Sequence, residues 1–287
     1  MRFSAHCLLW TDRWSNDTLA LIDRVAGLGL DAIEIPMRDH AAIDPPAIKE
    51  RLAGAGIDVV CCVALPQEAD ITSSDGALRA AGIHFLKVTV AKAAELGSKI
   101  VTGVIYAPWN KMAGRGPTQD ELNHSADSLR EVARYAQERG VRLGVEAVNR
   151  YETYLVNTAE QARSFVNLIG EPNVGIHLDT FHMNIEEKNI ADAVRTVGSQ
   201  LFHLHVIEND RGTPGTGHVA WHPLFATLAE IKYTGFGGIE TFLVLQPQLA
   251  NLIRIWRKLA PDGDTLVREG LAFLRGKARE YGLAEVS

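Results

Sequence analysis

Residues 174–206 read VGIHLDTFHMNIEEKNIADAVRTVGSQLFHLHV, and this stretch is the clearest guide to the architecture. It contains two short apolar runs, 174–179 and 201–206, and the first is bounded by Pro172 and Asp179. A helical segment, 189–197, lies between the two runs. A strand, a helix and a second strand in this order predict a βαβ unit, in which the two strands are parallel.

The same alternation continues over the whole chain. Apolar runs of strand length alternate with amphipathic helical segments, as where Leu19, Ile22 and Val25 recur at helical spacing. The predicted strands are 3–9, 32–35, 58–64, 99–106, 142–147, 174–179, 201–206 and 236–240. Eight strand–helix units in 287 residues predict an α/β fold, a (β/α)8 TIM barrel. The alternative is a doubly wound open sheet, but its first strand is usually followed by a glycine-rich turn, where this chain has WTDRW at 10–14.

Helices are predicted after each strand, and one more follows at the C-terminal end. The predicted helices are 18–28, 46–53, 75–96, 118–139, 158–169, 189–197, 223–231 and 251–258, with an extra C-terminal helix at 265–281. No linker, low-complexity tract or charge block interrupts this pattern. We therefore predict a single domain over residues 1–287.

Composition and charge exclude several classes of protein. Hydrophobic residues make up 46% of the chain and charged residues 22%, so a large core can form and disorder is not expected. The net charge of −6 does not favour a nucleic-acid-binding surface. The three cysteines, Cys7, Cys61 and Cys62, form no even-numbered disulfide framework, which indicates a reducing compartment. The chain also has no long apolar run and no apparent leader, so we expect a soluble, cytoplasmic protein without nucleic-acid or membrane partners.

Four neighbouring strands each end in a side chain that can bind a metal ion. Glu146, Asp179, His205 and Glu240 are the last residues of predicted strands five to eight. A single acidic residue at such a place often only caps the next helix. In a parallel barrel, however, the carboxyl ends of adjacent strands converge on the active site. Three carboxylates and one imidazole suit Mn²⁺, Mg²⁺ or Co²⁺ better than a structural zinc.

Further polar side chains follow these strand ends. Glu152, His182 and Arg211 come six, three and six residues after Glu146, Asp179 and His205. Arg211 opens a glycine-rich loop, 211–217, whose backbone N–H groups suit a phosphate, although it has no Walker-type lysine and an ordinary loop is equally consistent.

Other residues near the predicted strands allow more than one interpretation. His177 and His203 lie two residues before predicted ligands, and we expect them in the barrel interior rather than on the metal. Trp10, Trp14 and Trp109 fall near the ends of strands one and four, where they either line a pocket or only pack.

Four motifs resemble those of the ketose 3-epimerases, the D-tagatose and D-psicose (allulose) 3-epimerases of the xylose isomerase-like TIM-barrel superfamily. They are EAVNRYE at 146–152, LDTFHMN at 178–184, HLH at 203–205 and IE at 239–240. The resemblance extends over nearly the whole chain and includes CCVAL at 61–65 and the C-terminal segments IWR and EGLAFL. The four ligand positions mark the superfamily, whereas the two longer motifs are more specific to the epimerases.

The resemblance implies a role for each matching residue. Glu146, Asp179, His205 and Glu240 match the metal ligands, with Mn²⁺ the usual ion and Co²⁺ or Mg²⁺ as substitutes. Glu146 and Glu240 also match the pair that removes and returns the C3 proton, through a cis-enediolate. The groups that match those holding the O1–O3 end of the sugar are Glu152, His182 and Arg211. The implied substrates are free ketoses (D-tagatose, D-psicose, D-fructose or shorter ketoses), and the implied assembly is a homodimer or homotetramer.

One position departs from the family pattern. Family members often have an aromatic residue on strand one, at the far end of the sugar, where this chain has His6. Trp14, Cys62 and Trp109 match the rest of that apolar wall. His6 either packs in the core or faces the pocket, where it would bind O5 or O6, favour a shorter ketose, or meet an acidic or phosphorylated terminus.

Three other functions compete with a 3-epimerase. An aldose–ketose or hydroxypyruvate-type isomerase uses the same metal and carboxylates but moves the proton between C1 and C2. An AP endonuclease of the endonuclease IV type shares the barrel but needs a three-zinc cluster and a positive surface. A catalytically silent barrel that binds a sugar or a partner would have no need of a complete set of site residues.

Overall fold

Eight parallel strands close into a barrel in the order in which they occur in the chain. This computed structural model describes residues 1–244 and 246–283. The strands are β1 Arg2–His6, β2 Ala32–Pro36, β3 Asp58–Cys62, β4 Ile100–Gly103, β5 Arg142–Glu146, β6 Val174–Asp179, β7 Leu201–His205 and β8 Phe236–Ile239. The pairing of β8 with β1 closes the barrel and rules out the open sheet. The predicted (β/α)8 fold is confirmed.

Helices surround the barrel and bury one face against it. They are α1 Leu21–Gly27, α2 Pro45–Ala55, α3 Gly76–Leu96, α4 Gln119–Gln137, α5 Ala159–Ile169, α6 Thr180–Glu186, α7 Ile190–Val197, α8 Trp221–Glu230, α9 Pro247–Ile253 and α10 Gly263–Glu280. In α5, for example, Ala162, Phe165 and Val166 are buried at the spacing of a single helix face. None of the helices in the described ranges is long and apolar enough to cross a membrane.

Two helices differ from the sequence prediction. Helix α6 was not predicted, because its sequence TFHMNIE has no clear apolar periodicity; it begins at Asp179, whose side chain accepts the backbone N–H of Phe181. Helix α9 runs over Pro247–Ile253 rather than the predicted 251–258. It ends there because Arg254 adopts the left-handed conformation, with φ of 57°, which stops helical hydrogen bonding.

The long C-terminal helix α10 completes the outer layer. Asp262 caps its first turn by accepting the N–H of Thr265 at 2.8 Å. Asp264 accepts hydrogen bonds from Arg24 in α1 and from Trp10, at 2.7 and 2.8 Å. Because α10 also packs against α8, which follows β7, it lies between the seventh and the first units of the barrel. Trp10 therefore packs against this helix.

Candidate active site

The four predicted ligands meet at the carboxyl end of the barrel. Glu146, Asp179 and His205 are the last residues of β5, β6 and β7, and Glu240 directly follows β8. One ligand atom from each of the four side chains lies within 4.8 Å of the others. The strand ends therefore bring together residues that are separated by up to about a third of the sequence.

The cluster has the donor set and the charge expected of a divalent-metal site. Nδ1 of His205 is buried without a hydrogen-bond partner in the described part of the chain. It lies 3.9 Å from Oε1 of Glu146, 3.7 Å from Oδ2 of Asp179 and 3.6 Å from Oε2 of Glu240. An unpaired nitrogen facing three carboxylates suits a hard divalent cation, which takes oxygen and imidazole ligands. These residues therefore fit the metal that the resemblance implies.

Arg211 supplies a permanent positive charge beside the cluster. Its Nη1 donates to Oδ2 of Asp179 at 2.9 Å and to Oε2 of Glu240 at 2.8 Å. Burial opposes ionisation of both acids, but nearby positive charge outweighs it and lowers the pKa of each. The main charge is that of Arg211 for Asp179, and that of the protonated form of His205 for Glu240. In contrast, burial raises the pKa of Glu146, and the neighbouring charge of Glu240 raises it further. The two glutamates therefore differ in their affinity for a proton.

Trp109, Glu152, Asn149 and His182 form one hydrogen-bonded chain that ends beside Arg211. Nε1 of Trp109 donates to Oε2 of Glu152 at 2.9 Å, and Nδ2 of Asn149 lies 2.9 Å from Oε1 of the same carboxylate. Nδ1 of His182 accepts the backbone N–H of Asn149 at 3.2 Å. Its Nε2 lies 3.3 Å from Nη2 of Arg211. Asn149, which the sequence analysis missed, thus links Glu152 to His182 and fixes their orientation.

A cavity of about 500 Å³ opens above the cluster. Ten of the eleven predicted site residues line it: His6, Trp14, Cys62, Trp109, Glu146, Glu152, His182, His205, Arg211 and Glu240. The remaining residue, Asp179, is fully buried behind Arg211. The cavity also has an outer part that was not predicted, formed by loop residues that include Asp12, Arg13, Arg38 and Asp39. Its size is within the range of small-molecule sites.

His6 is at the end of β1 and contributes to the cavity wall. Its Nδ1 accepts the backbone N–H of Leu8 at 3.2 Å, so the proton of the neutral ring is on Nε2. Burial lowers the pKa of His6, which favours this neutral form. The ring centroid lies 6.4 Å from that of Phe242, another lining residue. The structure thus places His6 beside the cavity, an arrangement that the sequence left open.

The glycine-rich loop uses its backbone donors internally. The carboxylate of Glu208, buried just after β7, accepts the N–H of Gly215 at 2.8 Å and that of Val219 at 3.3 Å. It also accepts Nε1 of Trp221 at 2.7 Å. Since a protein carboxylate already occupies the position of an anion, the geometry favours the ordinary-loop interpretation over a phosphate site.

Below the cluster, the barrel interior contains polar residues. His177 and His203 are buried there, as predicted, and Nδ1 of His177 lies 3.0 Å from Oγ1 of Thr102. Glu34, which was not predicted from the sequence, is a fully buried carboxylate in β2 that lies 2.9 Å from Nε2 of His205. An ionisable residue in the middle of the apolar strand AIEIP is the signal that could have revealed it.

The comparisons with known proteins show which family the chain resembles. The sequence model of the family described as xylose isomerase-like TIM barrel matches residues 22–277. The L-ribulose 3-epimerase of Methylomonas sp. (strain DH-1) is 34% identical over 96% of this chain and 97% of its own length. The D-psicose 3-epimerase of Agrobacterium fabrum is 30% identical over 96% of this chain and 98% of its own.

A solved structure of a 3-epimerase is also similar to this chain over nearly its whole length. The D-allulose 3-epimerase from Methylomonas sp., in complex with D-allulose, superposes with a TM-score of 0.92 at 33% identity, over 96% of this chain and 97% of that one. This chain belongs to the ketose 3-epimerases of the xylose isomerase-like TIM-barrel family, and it is an enzyme of the isomerase class.

Proposed function

We propose that this protein is a metal-dependent ketose 3-epimerase that interconverts the C3 epimers of free ketoses. The observation that carries the proposal is that Glu146 and Glu240 reach one cluster from strands β5 and β8, with two strands between them. Epimerisation needs an acid–base group on each face of the reacting carbon, and two carboxylates on separate strands supply them. Glu146, Asp179, His205 and Glu240 would hold the metal, which we propose is Mn²⁺, with Co²⁺ or Mg²⁺ as substitutes.

A proton next to a ketone is too weakly acidic to leave unaided at neutral pH. A bound divalent cation would stabilise the negative charge that develops on the sugar oxygens, an effect of several kcal/mol. In one direction Glu240 takes the C3 proton and Glu146 returns a proton on the opposite face; in the other direction their roles reverse. The resulting cis-enediolate is planar at C3, so return from the other face inverts the centre.

The hydrogen-bonded chain beside the cluster determines which carbon reacts. Glu152, His182 and Arg211 would bind the O1–O3 end of the ketose. Trp109 and Asn149 orient Glu152 and His182, and Asp179 and Glu240 hold Arg211 beside them. That binding places C3, rather than C1 or C2, between the two glutamates. It therefore favours an epimerase over the competing aldose–ketose or hydroxypyruvate-type isomerase.

The end of the sugar farther from O1 would lie against a part of the cavity wall that is both apolar and polar. Trp14, Cys62 and Trp109 offer apolar surface, and His6 offers one donor, its Nε2–H. A donor here suits a hydroxyl oxygen of a five- or six-carbon ketose. Two arginines in the outer cavity, Arg13 and Arg38, would also permit a substrate with a phosphorylated or acidic terminus. Phosphorylated ketoses therefore belong among the substrates to be tested.

Product analysis tests the proposal. The Mn²⁺-loaded enzyme is incubated with D-fructose, D-tagatose, D-psicose, L-ribulose and phosphorylated ketoses, and the products are separated by chromatography. We expect the C3 epimer of a free ketose to form. An aldose as the main product would support the isomerase, and reaction of phosphorylated ketoses alone would change the substrate class.

We also propose a homodimer or homotetramer in the cytoplasm. Tyr151 and Trp256 are aromatic side chains that remain 61% and 70% exposed, as subunit-interface residues are in an isolated chain. The three cysteines are free and buried, as is usual for a protein of a reducing compartment. Light scattering after size-exclusion chromatography gives the mass, and a monomer would contradict the first part of this proposal.

A further inference from the structure

Glu34 is a fully buried carboxylate in the interior of the barrel. It lies in the middle of β2, between Ile33 and Ile35, and its side chain points away from the helices and into the barrel. An ionised carboxylate without partners is very costly in such a place. The side chains around Glu34 therefore have to compensate for the cost of burying its charge.

Both oxygens of Glu34 are paired. Oε1 accepts the hydroxyl of Ser4 at 2.5 Å and lies 3.1 Å from Nε2 of His203. Oε2 lies 2.9 Å from Nε2 of His205 and accepts the thiol of Cys62 at 3.3 Å. These partners come from β1, β3 and β7, so they hold the carboxylate from several sides.

Strand β8, which pairs with the other side of β1, also accommodates this side chain. Gly238 in β8 is in register with Ser4 in β1 and with His205 in β7. A Cβ atom at Gly238 would collide with Oε1 of Glu34 and would lie 2.8 Å from Cδ2 of His205. A glycine at this position therefore leaves room for the contact between Glu34 and His205.

The contact determines how His205 presents its other nitrogen. When Nε2–H of His205 donates to Glu34, the lone pair of the neutral ring is on Nδ1. Nδ1 is the buried, unpartnered atom that faces Glu146, Asp179 and Glu240 at 3.6–3.9 Å. A carboxylate that accepts the second N–H of a histidine fixes both the tautomer and the ring orientation.

We propose that Glu34 is a positioning residue that holds His205 in the orientation required for metal binding. It has no exposed surface and does not line the cavity, so we infer that it acts through His205. The inference rests on the proposed function, because it assumes that the cluster binds a divalent ion. Loss of such a partner typically weakens metal binding by about 10–100-fold.

Metal titration of Glu34→Gln tests the inference without an activity assay. Metal-free protein is titrated with Mn²⁺, and the free ion is measured by electron paramagnetic resonance. We expect the Kd of Glu34→Gln to be about 10–100-fold higher than that of the wild type. Turnover should return when Mn²⁺ is added in excess, because Glu34 does not line the cavity. A disrupted barrel would not show this recovery.

Two further variants separate positioning from damage to the core. Ser4→Ala removes another hydrogen bond to Glu34 but leaves the contact with His205, so its Kd for Mn²⁺ should stay close to that of the wild type. Glu34→Asp retains the charge but is one methylene too short to reach His205, and it should weaken binding even if Glu34→Gln does not fold. Circular dichroism establishes that each variant is folded.

The outcomes distinguish this inference from the proposed function. Unchanged Mn²⁺ affinity in a folded Glu34→Gln or Glu34→Asp variant would overturn the positioning role. Equal losses in Ser4→Ala and Glu34→Gln would also overturn it, because any disturbance of the buried cluster would then have the same effect. If the wild type itself did not bind Mn²⁺, the metal-dependent function would fail and the inference with it.

Discussion

Arg211 donates a hydrogen bond of 2.8 Å from Nη1 to Oε2 of Glu240, and so pairs one of the two opposing glutamates with a permanent cation. Among the described residues, Glu146 is paired with no arginine or lysine; the basic side chains nearest to it are the imidazoles of His177, at 3.7 Å, and His205, at 3.9 Å. The two carboxylates therefore begin in different electrostatic environments, which suits one group that accepts a proton and one that donates it.

The first prediction concerns Glu240. Glu240→Gln removes a group that exchanges the C3 proton, so kcat should fall by about 10²–10⁴-fold. Because Glu240 is also a proposed metal ligand, metal content must be measured for each preparation. Glu230→Gln is the control, since Glu230 is on the outer surface of α8 in an exposed pair with Arg195. A Glu240→Gln enzyme as fast as wild type would refute the proposed mechanism.

The second prediction concerns His6 and substrate length. His6→Phe removes the Nε2–H donor at the cavity wall, which is worth about 1 kcal/mol for a typical hydrogen bond. We expect the ratio of kcat/KM between six- and five-carbon ketoses to change by about 5-fold, the equivalent of that energy, while activity is retained. His84→Phe makes the same change on the exposed part of α3 and should alter nothing. An identical substrate profile for His6→Phe would exclude a role of His6 in the pocket.

The third prediction concerns removal of the metal. Dialysis against a chelator should abolish turnover, and Mn²⁺ should restore it more fully than Mg²⁺. The ion should also stabilise the fold, because binding to the native state alone contributes about 2.7 kcal/mol at a concentration 100 times the Kd. Differential scanning calorimetry with and without Mn²⁺ measures this as a rise in Tm. Full activity of protein shown to be metal-free would contradict the prediction.

The fourth prediction concerns the pH dependence of stability at the start of α4. Glu121 accepts the N–H of Thr118 at 2.8 Å and pairs with Arg115 at 2.8 Å, and these contacts lower its pKa from 4.5 to about 2. A lowered pKa means that the stabilisation is complete above pH 4.5 and is lost as the pH falls towards 2.

Glu121→Gln should therefore lower the free energy of unfolding by about 1 kcal/mol at pH 6, as the loss of a helix cap does. The difference in the free energy of unfolding between variant and wild type should decrease towards zero as the pH approaches 2. Urea unfolding at a series of pH values measures this difference. A constant difference between pH 6 and pH 3 would show that the carboxylate charge is not the cause.

The barrel and the convergence of four strand-end side chains could be predicted because both depend on local pattern. Strand–helix alternation determines the topology, and the last residue of each strand, as at Asp179 and His205, is necessarily at the carboxyl end. Helix α6 was missed since a capping aspartate starts it without an apolar stripe. The predicted end of α9 was wrong because a single residue in the left-handed conformation, Arg254, determines where the helix ends.

The rest of the site depends on contacts that the sequence does not show. Glu34 and His205 are 171 residues apart, and only barrel closure brings β2 to face β7 in the interior. Asn149 looks like an ordinary loop residue until the fold places it between Glu152 and His182. The outer cavity is formed by two loops, around Arg13 and Arg38, whose paths are not determined by any periodic pattern.

The most direct test of the central claim is proton exchange in D₂O, followed by ¹H NMR with Mn²⁺-loaded enzyme and a reactive ketose. Deuterium should enter at C3, and the C3 epimer should appear together with it. The label should be almost absent from the Glu240→Gln reaction. Deuterium at C1 with formation of an aldose, or epimer formation without any label at C3, would contradict the account.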